Sequence, residues 1–422
     1  MKKYDVIVVG AGPSGMMAAI AAAENGAHTA LIDKNKKVGK KLLMTGGGRC
    51  NVTNSHSVDD IITHVPGNGR FLHSAFAQFS NLDIIDFFEK NGIPLKEEDH
   101  GRMFPVTDKS RTIVEGLFSK IEELQVDYFP NTAVTELNIE HGAITGLETE
   151  TESFTASCVV LSTGGRAYPS TGSTGDGYKL TRSAGHTITP LYPTESPLIS
   201  SETFINEKTL QGISLRDIRL SVLNAKGKII IEHQMDMLFT HFGLSGPAAL
   251  RCSSFINQEL AKGAESVTVL LDSFPDISAA QLLNDLKTTA RDNGKAVKNA
   301  FAALTQERYL LFLLDKVQID ADMPAKQLTE KQLEKFSHIL KAFPIQIDKT
   351  FPIEKSFVTG GGVQLKEINP KTMESKLTAG LYMTGELLDI NGYTGGYNIT
   401  CAFVTGHVAG THAAEMASYM KY

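Results

Sequence analysis

A chain of 422 residues exceeds what one hydrophobic core usually organises, so two or three domains are expected. Its net charge of −6 excludes a surface coated in positive potential and leaves only local basic faces as anion contacts. The four cysteines, Cys50, Cys158, Cys252 and Cys401, form no CxxC pair and no metal-ligand spacing, which argues against a disulfide framework, a redox-active dithiol and a metal site.

Residues 4–9, YDVIVV, read as a buried parallel strand, and 14–25 as an alanine-rich helix. A second strand, HTALID, closes a βαβ unit at Asp33. At the strand-to-helix junction GAGPSG matches GxGxxG in the context that fingerprint demands. Gly10 permits the tight turn, Gly12 lets the backbone approach a pyrophosphate, and Gly15 lets helix and strand pack closely. The helix start supplies free N–H groups and a positive dipole end to the anion. Asp33 stands 18 residues beyond Gly15, where a carboxylate accepts from a ribose diol and repels a 2′-phosphate. A glycine turn matching by chance would lack the strand, the helix and the acid. Lys2 and Lys3 before an apolar run mimic a secretory signal, but the glycines interrupt it. Nowhere do about 18 uninterrupted apolar residues occur, so no membrane span is indicated and the cytoplasm is the default location.

The segment LMTGGGRCNVTN (43–54) presents Gly46, Gly47 and Gly48, whose backbone amides can approach a flat ring or a phosphate. A flexible loop is the alternative, although Arg49, Cys50 and Asn51 are unusually chemical neighbours for one. Lys34, Lys36, Lys37, Lys40 and Lys41 form a dense basic run beside it, either a solvated face or a phosphate contact with RNA.

Residues 126–163 carry the strand-like runs VDYF, AVTELNI, AITGLETE and CVVLST, a meander returning to the main sheet. The last run ends in a glycine turn, Thr163-Gly164-Gly165, and a long polar loop to residue 178. From about residue 190 the texture changes: prolines precede alternating runs such as IRLSVLNAKGKIIIE, and 277–342 reads as short helices carrying Arg291, Lys295 and Lys298. An inserted module is the simplest account. Parallel-sheet texture resumes near residue 356. In LYMTGELLDINGYTGGYNITCAFVTGHVAG (381–410), Gly385-Glu386 ends a strand where a ribityl chain could be gripped. A helix then starts near Asn398, and its N-terminus facing a flavin would stabilise negative charge on the reduced ring. No second GxGxxG exists for a dedicated nicotinamide domain.

These segments, with GRMFP at 101–105, FTHFGLSGP at 239–247 and VTGGGV at 358–363, resemble the BaiN/RdsA family of NAD(P)/FAD-dependent oxidoreductases, also described as YhiN-like flavoproteins, over the whole chain. The resemblance implies an α/β fold of three parts. A Rossmann-type, glutathione-reductase-like FAD-binding domain would cover 1–190 plus 353–422, an inserted β-barrel 191–274 plus 343–352, and a helical module 275–342. The module would resemble helix-two-turns-helix nucleic-acid-binding folds. The resemblance also implies FAD as resident cofactor and NAD(P)H as transient donor. The positions expected around FAD are Gly10, Gly12, Pro13, Ser14, Gly15, Asp33, Lys34, Lys41, Leu42, Thr45, Gly46, Gly47, Gly48, Arg49, Cys50, Asn51, Val134, Thr163, Gly164, Gly165, Gly385, Glu386, Gly395, Gly396, Tyr397, Asn398 and Ile399. Members are associated with reduction of conjugated C=C bonds in steroids, with dihydrouridine formation in ribosomal RNA and with aminoacetone oxidation. Fold alone does not choose among these.

Hydride addition to one carbon of a C=C leaves the other in need of a proton. Candidate donors are Cys50 and His241, with Tyr168 behind them. Arg49 or the helix start near Asn398 could hold the oxygen that gains charge. Against these roles, Cys50 could be a small apolar filler, and His241 a histidine hydrogen-bonded within the insert's core. Two function classes follow. One is a FAD reductase, with uridine in ribosomal RNA as the leading substrate and a steroid- or aminoacetone-type small molecule behind it. The other is an RNA-binding protein in which flavin is structural.

Overall fold

The computed structural model describes residues 2–291 and 294–420, and the chain divides into two compact units, Met1–Tyr192 with Ile353–Tyr422, and Pro193–Pro352. In the first unit, β1 (Lys2–Val9) is apolar from Val6 onward and fully buried at Val6, Ile7 and Val8, as a strand covered on both faces must be. It is followed by α1 (Pro13–Glu24), β2 (Thr29–Ile32), α2 (Ser110–Glu123), β3 (Asp127–Phe129), β4 (Val134–Glu140), β5 (Ala143–Thr149) and β6 (Ser153–Leu161). The sheet order is β3-β2-β1-β6-β5-β4. The first four strands run parallel, with Val6 opposite Thr29 and Val9 opposite Leu161. The early part of β6 pairs antiparallel with β5, and its end pairs parallel with a late strand, Leu381–Met383. The meander thus leaves the sheet where the late strand enters it.

The C-terminal helix, Tyr397–Tyr419, packs along α1. Gly406 and Gly410 form the seam, because a Cβ at either would lie 2.2 Å from the Ser14 carbonyl oxygen or 2.1 Å from that of Ala18. Only a hydrogen fits there.

The second unit contains β7 (Leu198–Ile199), β8 (Ser214–Leu223), β9 (Ile229–Phe239), β10 (Gly243–Ser245), α3 (Pro247–Ala261), β11 (Val267–Asp272), α4 (Ala279–Arg291), α5 (Glu307–Lys316), α6 (Glu330–Lys341), β12 (Phe343–Ile347) and β13 (Lys349–Thr350). Its antiparallel sheet has the order β12-β11-β8-β9-β10-β7-β13. The two edge strands are consecutive in the chain, with Asp348 alone between them, so the sheet curls back on itself as a barrel does. Helices α4 to α6 bury Leu286, Leu313 and Phe336 in the same hydrophobic core as Phe239, Val269 and Phe343 of the sheet. Short amphipathic helices cannot bury an apolar stripe alone, and here they borrow the sheet's core.

Candidate active site

The chemistry-bearing segments of the first unit begin where its parallel strands end. Gly10 follows β1, Asp33 follows β2, Thr163 follows β6 and Gly385 follows the strand Leu381–Met383. Ligands of open α/β sheets collect at these carboxyl ends, because the loops there are free of sheet hydrogen bonding and open onto helix N-termini.

The three glycines of the first loop differ in why they must be glycine. A Cβ on Gly15 would sit 1.7 Å from the Gly10 carbonyl oxygen, and one on Gly10 would sit 2.5 Å from that of Ser162, so both are demanded by packing. Gly12 has an ordinary extended backbone, φ −82° and ψ −175°, and a Cβ there would meet nothing within 4 Å. Neither positive φ nor packing requires glycine there, and the space beside it is open to a ligand pressed against the backbone. Pro13 opens α1 and no side chain caps the helix, so its first N–H groups face that open space. Asp33 closes the loop from the other side, accepting from the backbone N–H of Ala11 and of Asn35, each at 2.6 Å.

Two polar atoms of the glycine-rich segments, Asn51 Oδ1 and Thr163 Oγ1, are buried without a hydrogen-bond partner. Such atoms are destabilising unless a ligand satisfies them. Asn51 Oδ1 lies 3.0 Å from where a Gly396 Cβ would stand, at the uncapped start of the C-terminal helix. An open glycine at one helix start and an orphaned amide oxygen at another fit a nucleotide with an anionic end and a polar, hydrogen-bonding ring.

A network ties the strand ends together. Lys41 Nζ donates to Glu386 Oε2 at 2.9 Å and to the Ala167 carbonyl at 3.4 Å. Glu386 Oε1 accepts from the Thr359 N–H at 2.7 Å, and Thr359 Oγ1 accepts from the N–H groups of Arg166 and Ala167 at 2.9 and 3.0 Å. Ser162 and Thr384 hydroxyls pair at 2.7 Å, and Gly385 N–H donates to Thr405 Oγ1 at 2.9 Å. Thr359, Thr384 and Thr405 carry no sequence signal, because their partners lie up to 222 positions away. Of the basic run, Lys34 binds Thr174 and Asp176, and Lys40 binds the Ser170 carbonyl, whereas Lys36 and Lys37 are exposed.

The glycine triplet takes positive φ at Gly46, Gly47 and Gly48, which forces the chain into a turn that side chains resist. Leu42 anchors it from the core, and Thr45 Oγ1 donates to the Leu42 carbonyl. Cys50, also at positive φ, is fully buried, and burial pushes its thiol up to about 12. That is the geometry of an apolar filler. The Arg49 guanidinium lies over the Phe104 ring at 4.2 Å and is held by Glu98 and Asp108, so two carboxylates already meet its charge. Asn398 Nδ2 donates to the Gly392 carbonyl at 2.7 Å and its Oδ1 accepts from Gly392 N–H, which leaves the backbone N–H groups of this helix start, rather than its side chain, as the donors. Val134 opens β4 and is half-buried. His241 lies in the second unit, exposed at the turn between β9 and β10 and edge-on to Phe242 at 5.0 Å. It is not a core histidine. Tyr168 sits at φ 54°, stacked on Phe357.

Among the described residues no group of three or more His, Cys, Asp and Glu is placed to hold a metal, and no helix is long and apolar enough to cross a membrane.

A glycine fingerprint, an acid at the next strand end and a late strand leading into a C-terminal helix define a Rossmann-type FAD-binding flavoprotein. The family model described as the HI0933-like protein Rossmann domain matches residues 4–412; the chain belongs to that family and is an FAD-dependent oxidoreductase. It is 32% identical over 406 residues, 96% of each chain, to the ribosomal RNA dihydrouridine synthase of Escherichia coli. It is 31% identical over 412 residues, 97% of this chain and 98% of the other, to the 3-dehydro-bile acid delta(4,6)-reductase of Clostridium scindens. Among solved structures, the 3-ketosteroid-delta4-(5alpha)-dehydrogenase of Rhodococcus jostii shares the fold, with a TM-score of 0.55 at 13% identity over 98% of this chain and 97% of that one.

Proposed function

We propose that this chain reduces a C=C bond conjugated to a carbonyl in a flat ring, drawing on NAD(P)H, with uridine of ribosomal RNA as the leading substrate. The observation that carries the cofactor half is Gly12, a glycine at an uncapped helix start whose missing side chain leaves open space for a pyrophosphate. The substrate half rests on two relatives matched over nearly the whole chain, one named for making dihydrouridine in ribosomal RNA and one for reducing a bile acid.

FAD, when bound, supplies hydride to the electron-poor carbon. The chain's own residues do the rest. Gly12 and the start of α1 would receive the pyrophosphate, Asp33 the ribose diol, and Asn51 Oδ1 and Thr163 Oγ1 polar groups that satisfy them. The backbone N–H groups at Gly396–Ile399 would stabilise negative charge on the reduced ring. The second carbon takes its proton from a positioned acid of the chain, for which Cys50 and His241, with Tyr168 behind them, are the candidates. Alanine substitution of Cys50 and of His241, and phenylalanine substitution of Tyr168, sort the three by the rate at which substrate reoxidises the reduced flavin.

The test is anaerobic. Protein loaded with FAD is bleached by NADPH or NADH and then mixed with a ribosomal RNA fragment or with a conjugated 3-oxo steroid. Return of flavin colour with RNA supports the leading substrate, and return with the steroid alone moves the reading to a small molecule. A flavin inert to both nucleotides would leave a structural role in an RNA-binding protein.

A further inference from the structure

Resting on that reading, we infer that Phe357, backed by Tyr168, is the stacking platform on which the substrate's flat unsaturated ring lies. The two rings stack at 5.7 Å with planes 21° apart. That separation leaves no room for a third ring between them, so the free face is the outer face of Phe357. The ring is 44% exposed, although Ser356 and Val358 on either side of it are buried at 0% and 8%. Ser356 Oγ donates to the Ile353 carbonyl at 2.8 Å, fixing the turn that projects the aromatic outward.

Both halves of the pair are fastened to the cofactor cradle. Two residues after Phe357, Thr359 takes the N–H groups of Arg166 and Ala167, directly before Tyr168, and gives its own N–H to Glu386. Lys41 closes the circuit between Glu386 and the Ala167 carbonyl. Tyr168 itself holds φ 54°, a conformation that costs a non-glycine residue about 1 kcal/mol or more and persists where the surroundings impose it. An outward aromatic face, a backing ring held on a strained backbone and a rigid link to strand ends at Gly165 and Gly385 together describe a surface that orients a π-system relative to the cradle. An aromatic face recognises a nucleobase or an enone steroid through the same chemistry and tolerates either.

The chain contains no tryptophan, so Phe357→Trp places a single reporter on the platform. FAD-loaded F357W, F357A and wild-type protein, matched for FAD content by absorbance, would be titrated with oligouridylate, with 4-androstene-3,17-dione and with its fully saturated analogue. We expect indole fluorescence to be quenched by at least one of the two unsaturated probes and not by the saturated one, and F357A to weaken that probe's binding roughly tenfold, a factor within the range measured for base stacking on an aromatic. Quenching by oligouridylate identifies the nucleobase as the occupant, and quenching by the enone identifies the steroid. Equal affinity of F357A and wild type, or no quenching by either unsaturated probe, overturns the platform. If Phe357-dependent binding is found but reduced flavin is never reoxidised, the platform stands and the reductase reading falls; reoxidation indifferent to Phe357 gives the reverse.

Discussion

Gly12→Ala separates a glycine kept for the fold from one kept for a ligand. The added methyl meets no atom within 4 Å, and φ −82° with ψ −175° suits alanine. Stiffening the unfolded chain stabilises by about 0.4–1 kcal/mol, and losing glycine at a helix N-cap offsets a similar amount. The apo-protein should therefore melt within a few degrees of wild type. In the loaded protein the methyl would occupy the space that the proposed function gives to the pyrophosphate. If it breaks one charge-assisted hydrogen bond to a backbone N–H, about 1.5–3 kcal/mol is lost, a rise of roughly 10- to 150-fold in the Kd for FAD. Calorimetric titration of FAD into apo-protein measures the second quantity, and a circular-dichroism melt the first. Gly15→Ala is the contrast, since its methyl would overlap the Gly10 carbonyl at 1.7 Å and the fold should not tolerate it. Unchanged FAD affinity in G12A, or an apo-protein that fails to fold, would refute the assignment of Gly12 to the ligand.

Gly406→Ala and Gly410→Ala should each destabilise the first unit by about 1–3 kcal/mol, seen as a lowered urea midpoint, because the methyl presses on the backbone of α1. All four cysteines are buried, and burial raises the Cys50 thiol to about 12, so native protein should show no fast reaction with Ellman's reagent until denaturant is added. Burial lowers the His407 imidazole to about 4 against the pull of Asp83. Its folded value lies below the ordinary 6.5, so the unfolded chain takes up the proton first and stability falls as pH drops from 6.5 toward 4. Replacing His407, which stacks on Phe79 at 3.9 Å, with phenylalanine should flatten the Tm profile in that window.

What the sequence makes readable is what local patterns encode. The βαβ unit, the meander and the acid after β2 follow from β-branched runs, glycine spacing and a fixed offset between Gly15 and Asp33. The helical stretch in the insert is equally readable as helices, yet its periodicity says nothing about whose core those helices share, and here they share the sheet's. Arg49 looks like a free cation from its neighbours alone, and only the folded chain brings Glu98 and Asp108 to it from 49 and 59 positions away. Glu386 is readable as a strand-end acid but not as the partner of Lys41, 345 positions earlier. Pairings of that range are set by topology, and topology is not written in any short window. The same holds for Phe357, whose stacking partner Tyr168 comes from a distant part of the chain.

The seam between α1 and the C-terminal helix has a consequence for how the molecule is made. Helix α1 must wait until the chain has grown past residue 397 before its apolar surface is covered, while the intervening Pro193–Pro352 unit is already whole. Premature termination shortly before residue 397 would strand a helix apolar nearly all round with its natural cover missing, a target for chaperones and proteases rather than a truncated enzyme.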